Sequence, residues 1–154
     1  MRLSGELRGR TKQYASAIIR FYVKLPKDRE EVRVLGKQLL RSGTSVAAHA
    51  REASRARSDS EFCSKLDGLL QEADESQLWL ELLRDDCAIA GEQTDHLLRE
   101  TDELMAIFVS MTSKLRKKAI GTGQLVGGLI RSVESRKARV LGFLSALFSL
   151  LSSV

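Results

Sequence analysis

Phe62, Leu66, Leu69, Ala73, Ser76, Leu80, Leu83 and Cys87 recur at alternating steps of four and three residues. This heptad seam predicts a single helix over about Asp59 to Asp86 with an unbroken stripe to bury. A lone helix cannot bury such a stripe, so the rest of the chain, or another copy of it, must supply partners.

Three more segments share the period. Leu7, Thr11, Tyr14, Ile18, Phe21 and Leu25 predict a helix from Ser4 or Gly5 to Lys24, stopped by Pro26, the sole proline. Val32, Leu35, Leu39, Ser42, Val46, His49 and Ala53 predict a second, from about Arg29 to Ala56, with Asp28 and Glu31 spaced as a capping box. Leu97, Thr101, Leu104, Phe108, Met111 and Leu115 predict a fourth, from about Glu92 to Lys118. Ser58 followed by Glu61 is another capping-box pattern, and Gly91 suits a C-cap or turn. Short connections between seamed helices predict an all-α fold, an antiparallel up-down-up-down four-helix bundle. We expect residues 1–118 to form the bundle and 119–154 a glycine-rich linker and tail. Val140–Val154 carries no charge but is too short for a usual bilayer span. No signal-peptide pattern opens the chain, so the expected location is cytoplasmic, away from membranes.

Little here suggests catalysis. Cys63 and Cys87 sit more than six turns apart on one predicted helix and read as small buried hydrophobes. His49 lies on the second seam and reads as a core or interface imidazole with a hydrogen-bond partner. His96 has Glu92 and Glu100 one turn either side, a spacing of four rather than the Glu-x-x-His spacing of di-metal bundles, and no second copy exists. Ser42, Ser45 and Glu52 lack an oxyanion site, and the serines suit bonds to carbonyls one turn back. No phosphate loop or nucleophile elbow is present. The expectation is a non-enzyme with no metal and no cofactor.

Charge is more informative. The net charge is +5, yet residues 63–109 hold 12 acidic and 3 basic groups, while residues 1–42 hold 11 basic and 4 acidic. Three groups of cations are candidate phosphate contacts: Arg8, Arg10, Lys12, Arg20 and Lys24 on helix one; Arg51, Arg55 and Arg57 near the second corner; Lys114, Arg116, Lys117 and Lys118 at the end of helix four. Antiparallel packing is expected to bring Arg55 and Arg57 to the same end as Lys114–Lys118. Without aromatic platforms or a base-reading motif, any binding of RNA or DNA should be independent of sequence. The competing reading is a solvated helical surface on a scaffold that binds other proteins. The small and polar residues Ser42, Gly43, Ser45, His49 and Glu52 form the candidate subunit contact, with Gly43 marking a possible bend.

Ser42-Gly43-Thr44-Ser45-Val46, Arg51-Glu52-Ala53, Ala56-Arg57-Ser58, Glu61-Phe62, Lys65-Leu66, Glu72-Ala73-Asp74-Glu75 and Trp79-Leu80-Glu81-Leu82-Leu83 closely resemble a bacterial four-helix-bundle family. That family is named for reading frames within intervening sequences of large (23S) ribosomal RNA, and it includes the accessory protein of diversity-generating retroelements. The resemblance implies a ring-forming homopentamer that binds nucleic acid and, in the retroelement case, a reverse transcriptase. It supplies no catalytic residue. His49 stands where the family usually has Asn, and Ala47 where it often has Gly. The tail from Gly121 departs from the family pattern.

Overall fold

The computed structural model describes residues 3–121. Four helices follow one another: α1 (Gly5–Lys24), α2 (Glu30–Ala53), α3 (Asp59–Asp85) and α4 (Glu92–Gly121). Two compact units divide the chain, Met1–Leu115 and Arg116–Val154, the boundary falling inside α4. The expected linker and tail lie, from residue 122 onward, outside the described residues.

Cross-helix contacts fix the directions. Gly43 faces Ile18 and Gly36 faces Leu25, so α1 and α2 are antiparallel. Ser76 pairs with Ser42 and Lys65 with Glu52, so α2 and α3 are antiparallel as well. Arg10 reaches Glu100 and Glu103 while Lys24 reaches Gln93, which sets α4 antiparallel to α1. The first unit is thus the up-down-up-down four-helix bundle that the four seams require.

All seven seam residues within α3 are buried, Phe62, Leu66, Leu69, Leu80 and Leu83 completely, and the eighth, Cys87, is buried just beyond its end. Ile18, Leu39, Val46, Leu104 and Phe108 close the core from the other helices. A hydroxyl from each helix lies within it. The Tyr14 hydroxyl is 2.9 Å from Thr101 Oγ1, and Ser76 Oγ donates to Ser42 Oγ at 2.8 Å. Burial raises the Tyr14 pKa, so the phenol stays neutral and bonded. Such a layer is satisfied only when the helices are in register, which opposes sliding.

Helix ends follow local chemistry. The Ser4 side chain accepts from the Leu7 N–H, and that of Ser58 from the Glu61 N–H, each at 3.1 Å. Glu61 reaches back to the Arg57 N–H, completing the expected box one residue earlier than usual. The box expected at Asp28 does not form. Arg29 holds the cap position of α2 without a side-chain cap bond, and its guanidinium donates instead to the Cys87 carbonyl. Two residues of the α3–α4 connection have positive φ, Ala88 at 54° and Gly91 at 153°, so Gly91 serves the turn and not the C-cap of α3, which is Asp86. Gly91 leads into α4, and its carbonyl accepts from the Asp95 N–H. Gly43 does not interrupt α2; it makes room for Ile18.

Candidate nucleic-acid interface

The α1/α2 hairpin is electrically simple. Residues 7–27 hold six basic groups and no acid, and residues 32–51 hold four and no acid. Where this hairpin meets α3 and α4, its cations are neutralised. Arg10 makes a bidentate pair with Glu100, both bonds 2.8 Å, and a further bond to Glu103 at 2.5 Å. These carboxylates raise its pKa and hold it charged. Arg41 pairs with Glu75 at 3.1 Å across α2 and α3.

Other cations of the hairpin bond within it, Arg29 to Glu31, Arg33 to Glu30 and Lys27 to the Tyr22 carbonyl, but four at one end make no ion pair. Arg8, Gly9 and Lys12 of α1 face Arg51, Ser54 and Arg55 at the end of α2 across a cleft of about 260 Å³. Arg8, Lys12, Arg51 and Arg55 are exposed, and among the described residues none makes an ion pair. Glu52, the nearest acid in sequence, is turned away. It binds Lys65 Nζ at 2.6 Å, and that contact lowers the carboxyl pKa and raises the lysine's. The grouping follows from the α1/α2 register, since the Ile18–Gly43 and Leu25–Gly36 contacts, continued along both helices, bring Arg8 and Lys12 level with the last turn of α2.

The remaining expected phosphate ligands are distributed differently. Arg57 lies outside the cleft and contacts Glu61 at 3.4 Å. Arg20 is exposed on another face of α1, and Lys24 bonds Gln93. Lys114 is exposed on α4 within the first unit, whereas Arg116, Lys117 and Lys118 belong to the second. The cations that the structure brings together are therefore Arg8 and Lys12 with Arg51 and Arg55.

The candidate subunit contact also divides. Ser42 and Gly43 are buried within the chain, one bonded to Ser76 and the other packed on Ile18. Burial inside one chain removes both from any surface contact. Ser45, His49 and Glu52 remain at the surface of α2. His49 lies over Gly68, where an added Cβ would come within 3.2 Å of the ring. The expected hydrogen bond to His49 is missing, for Nδ1 has none and Glu52 lies 3.7 Å away. Glu72 Oε2 and Trp79 Nε1 are likewise buried without hydrogen-bond partners.

A second groove, of about 290 Å³, lies between α3 and α4 and is lined by Gln77, Glu81, Arg84, Asp95, Leu98, Arg99 and Asp102. Its mixed charge gives it no evident preference for an anion. Among the described residues no group of three or more His, Cys, Asp or Glu could hold a metal ion, and no helix is long and apolar enough to cross a membrane.

Comparison with known proteins matches residues 6–110 to the family model described as 23S rRNA-intervening sequence protein. Among solved structures, a protein of unknown function from the S23 ribosomal protein family of Bacteroides thetaiotaomicron is 34% identical. The match covers 70% of this chain and 95% of that one, with a TM-score of 0.64. No curated protein matches.

Proposed function

The chain belongs to the 23S rRNA-intervening sequence protein family, and from that premise we propose that it is a non-enzymatic protein that binds RNA or DNA through phosphate contacts. One observation carries the reading: four cations without ion-pair partners converge on one cleft from two helices, with no carboxylate among the residues that line it. The binding is indifferent to sequence. No aromatic side chain is exposed among the described residues to stack on bases, and the cleft supplies charge rather than a pattern of paired donors and acceptors.

Self-assembly is part of the proposal. A homopentameric ring built through Ser45, His49 and Glu52 on the outer face of α2 would repeat the basic cleft around an axis and multiply its affinity. An accessory role beside a reverse transcriptase, in the cytoplasm, is the setting that the family resemblance suggests. The second reading, a scaffold for other proteins, draws on the part of the α2 face that stays at the surface, Ser45, His49 and Glu52.

Fluorescence anisotropy with short RNA and DNA strands across a salt series tests the main reading. Affinity should fall with added salt at a log–log slope of about −0.7 per phosphate contacted in a single strand. Each of Lys12→Ala and Arg51→Ala should flatten the slope by roughly one contact. Absence of binding at low salt refutes nucleic-acid binding. Copurification of one protein at fixed stoichiometry, free of nucleic acid, favours the scaffold. Mass measured in solution tests the ring.

A further inference from the structure

We infer that the α1/α2 cleft is built for a terminal phosphomonoester, the phosphorylated end of a nucleic-acid strand, rather than for an internal phosphodiester. The inference rests on the nucleic-acid reading above and narrows its ligand.

The cations first oppose one another. Arg8 and Lys12 are four residues apart on α1, and like charges at that spacing repel on a helix; Arg51 lies in the last turn of α2 and Arg55 follows just beyond its end. The two pairs then face each other across one cleft. The repulsion is relieved best by an anion that concentrates charge at one point.

The two kinds of phosphate differ in that respect. An internal diester carries one negative charge, and its backbone continues in both directions. A terminal monoester carries about −1.5 to −2 near neutral pH and has three free oxygens. Four cations around one concavity match the second better. Shape points the same way. At about 260 Å³ the cleft is slightly smaller than typical ligand pockets of roughly 300–1,000 Å³. That is room for a compact anion such as a single phosphate group. Gly9 leaves the α1 wall open, because a Cβ there would meet nothing within 4 Å.

The test compares one short strand in four forms: 5′-phosphorylated, 3′-phosphorylated, with both ends as hydroxyls, and circularised. Binding to the full chain is followed by anisotropy at fixed ionic strength. A monoester at one end should raise affinity about tenfold over the hydroxyl form, as one added charge-assisted contact would. Preference for the 5′ or the 3′ phosphate supports the site and identifies the end it takes. Gly9→Leu keeps all four charges and fills the mouth of the cleft, so it should shrink the preference to within about twofold. Equal affinity for all four forms overturns the end-binding inference and leaves the phosphate-binding function intact. A preference that survives Gly9→Leu places the monoester elsewhere and also overturns it. If no strand binds but inorganic phosphate raises the Tm more than chloride at equal ionic strength, the monoester site stands and the nucleic-acid function falls.

Discussion

The α1/α2 and α3/α4 hairpins meet the same geometric demand with different materials. In the first, helices approach through small residues: Gly36, Gly43 and Ala50 are buried against α1 or within the core. In the second, α3 fills space with Phe62, Leu66, Leu69, Leu80 and Leu83, all completely buried. Their surfaces are opposite in sign. Residues 7–27 and 32–51 have no acid, while residues 63–109 carry four times as many acids as bases. The seam is common to both hairpins and sets the fold. The surface is not, and the proposed phosphate contacts fall on the hairpin that is poorer in acids.

The largest effect should come from emptying the large-residue hairpin. Phe62→Ala removes a fully buried ring beneath the α2–α3 corner and should cost about 3–5 kcal/mol in denaturant unfolding. Such a loss consumes much of the stability of a marginal domain. A cost below about 1 kcal/mol would mean that the corner collapses around the gap, as a loosely packed core would.

Reversing charge separates the two surfaces more cleanly. Arg51→Glu with Arg55→Glu should lower nucleic-acid affinity about a hundredfold at moderate salt, since two attractive contacts become repulsive. The Tm should hold or rise, because the same change relieves repulsion with Arg8 and Lys12. Asp95→Lys with Asp102→Lys, in the α3/α4 groove, should not weaken binding. Equal losses from both double variants would dissolve the distinction between the surfaces and leave only net charge.

The close approach of α1 and α2 makes one substitution change sign with position. At Gly43 an added Cβ would come within 2.8 Å of Ile18 Cγ1 and 3.0 Å of its Cγ2, and Ile18 is completely buried. Overpacking outweighs the gain in helix propensity there, so Gly43→Ala should cost about 1 kcal/mol. At Gly9 nothing lies within 4 Å, and Gly9→Ala should gain about 0.5–1 kcal/mol. Thermal melts of the two variants read the difference.

These contrasts also show what was legible in the sequence. Most seam positions were, since period decides which side of a helix is buried; even Thr11, Ser42, Ser76 and Thr101, all polar, lie inside, although Leu7, Leu35, His49 and Met111 are only partly buried. Their partners were not legible, because hydroxyl pairing depends on the relative heights of four helices. Arg10 looked like any other cation of α1 until α4 placed Glu100 and Glu103 against it. The cleft itself was missed. Sequence reasoning grouped Arg55 with the end of α4; its neighbours Arg8 and Lys12 follow only from the register that Ile18 and Gly43 set between α1 and α2. Asp28 and Gly91 matched capping patterns, but Arg29 holds the cap position of α2 and Asp86 that of α3, leaving Gly91 in the turn before α4.

The smallest effect lies where the two hairpins meet. Glu72 is partly buried, and its Oε2 has no hydrogen-bond partner. Burial raises its pKa and the nearby Glu75 adds to the rise, while Arg41 and His49 oppose it. The folded chain therefore holds this proton more tightly than the unfolded chain does. Stability contributed by Glu72 is greatest below the unfolded carboxyl pKa and is lost as pH rises through the folded one. Near neutral pH the charged form is a liability, so Glu72→Gln should raise the Tm there. The rise should be about one or two degrees, since solvent screens a carboxylate that is only partly buried. At about pH 3, where both chains are protonated, the gain should vanish. Melts of parent and variant across that range read the sign directly. A gain of equal size at both ends would assign the effect to packing against α2 and remove Glu72 from the electrostatic boundary between the hairpins.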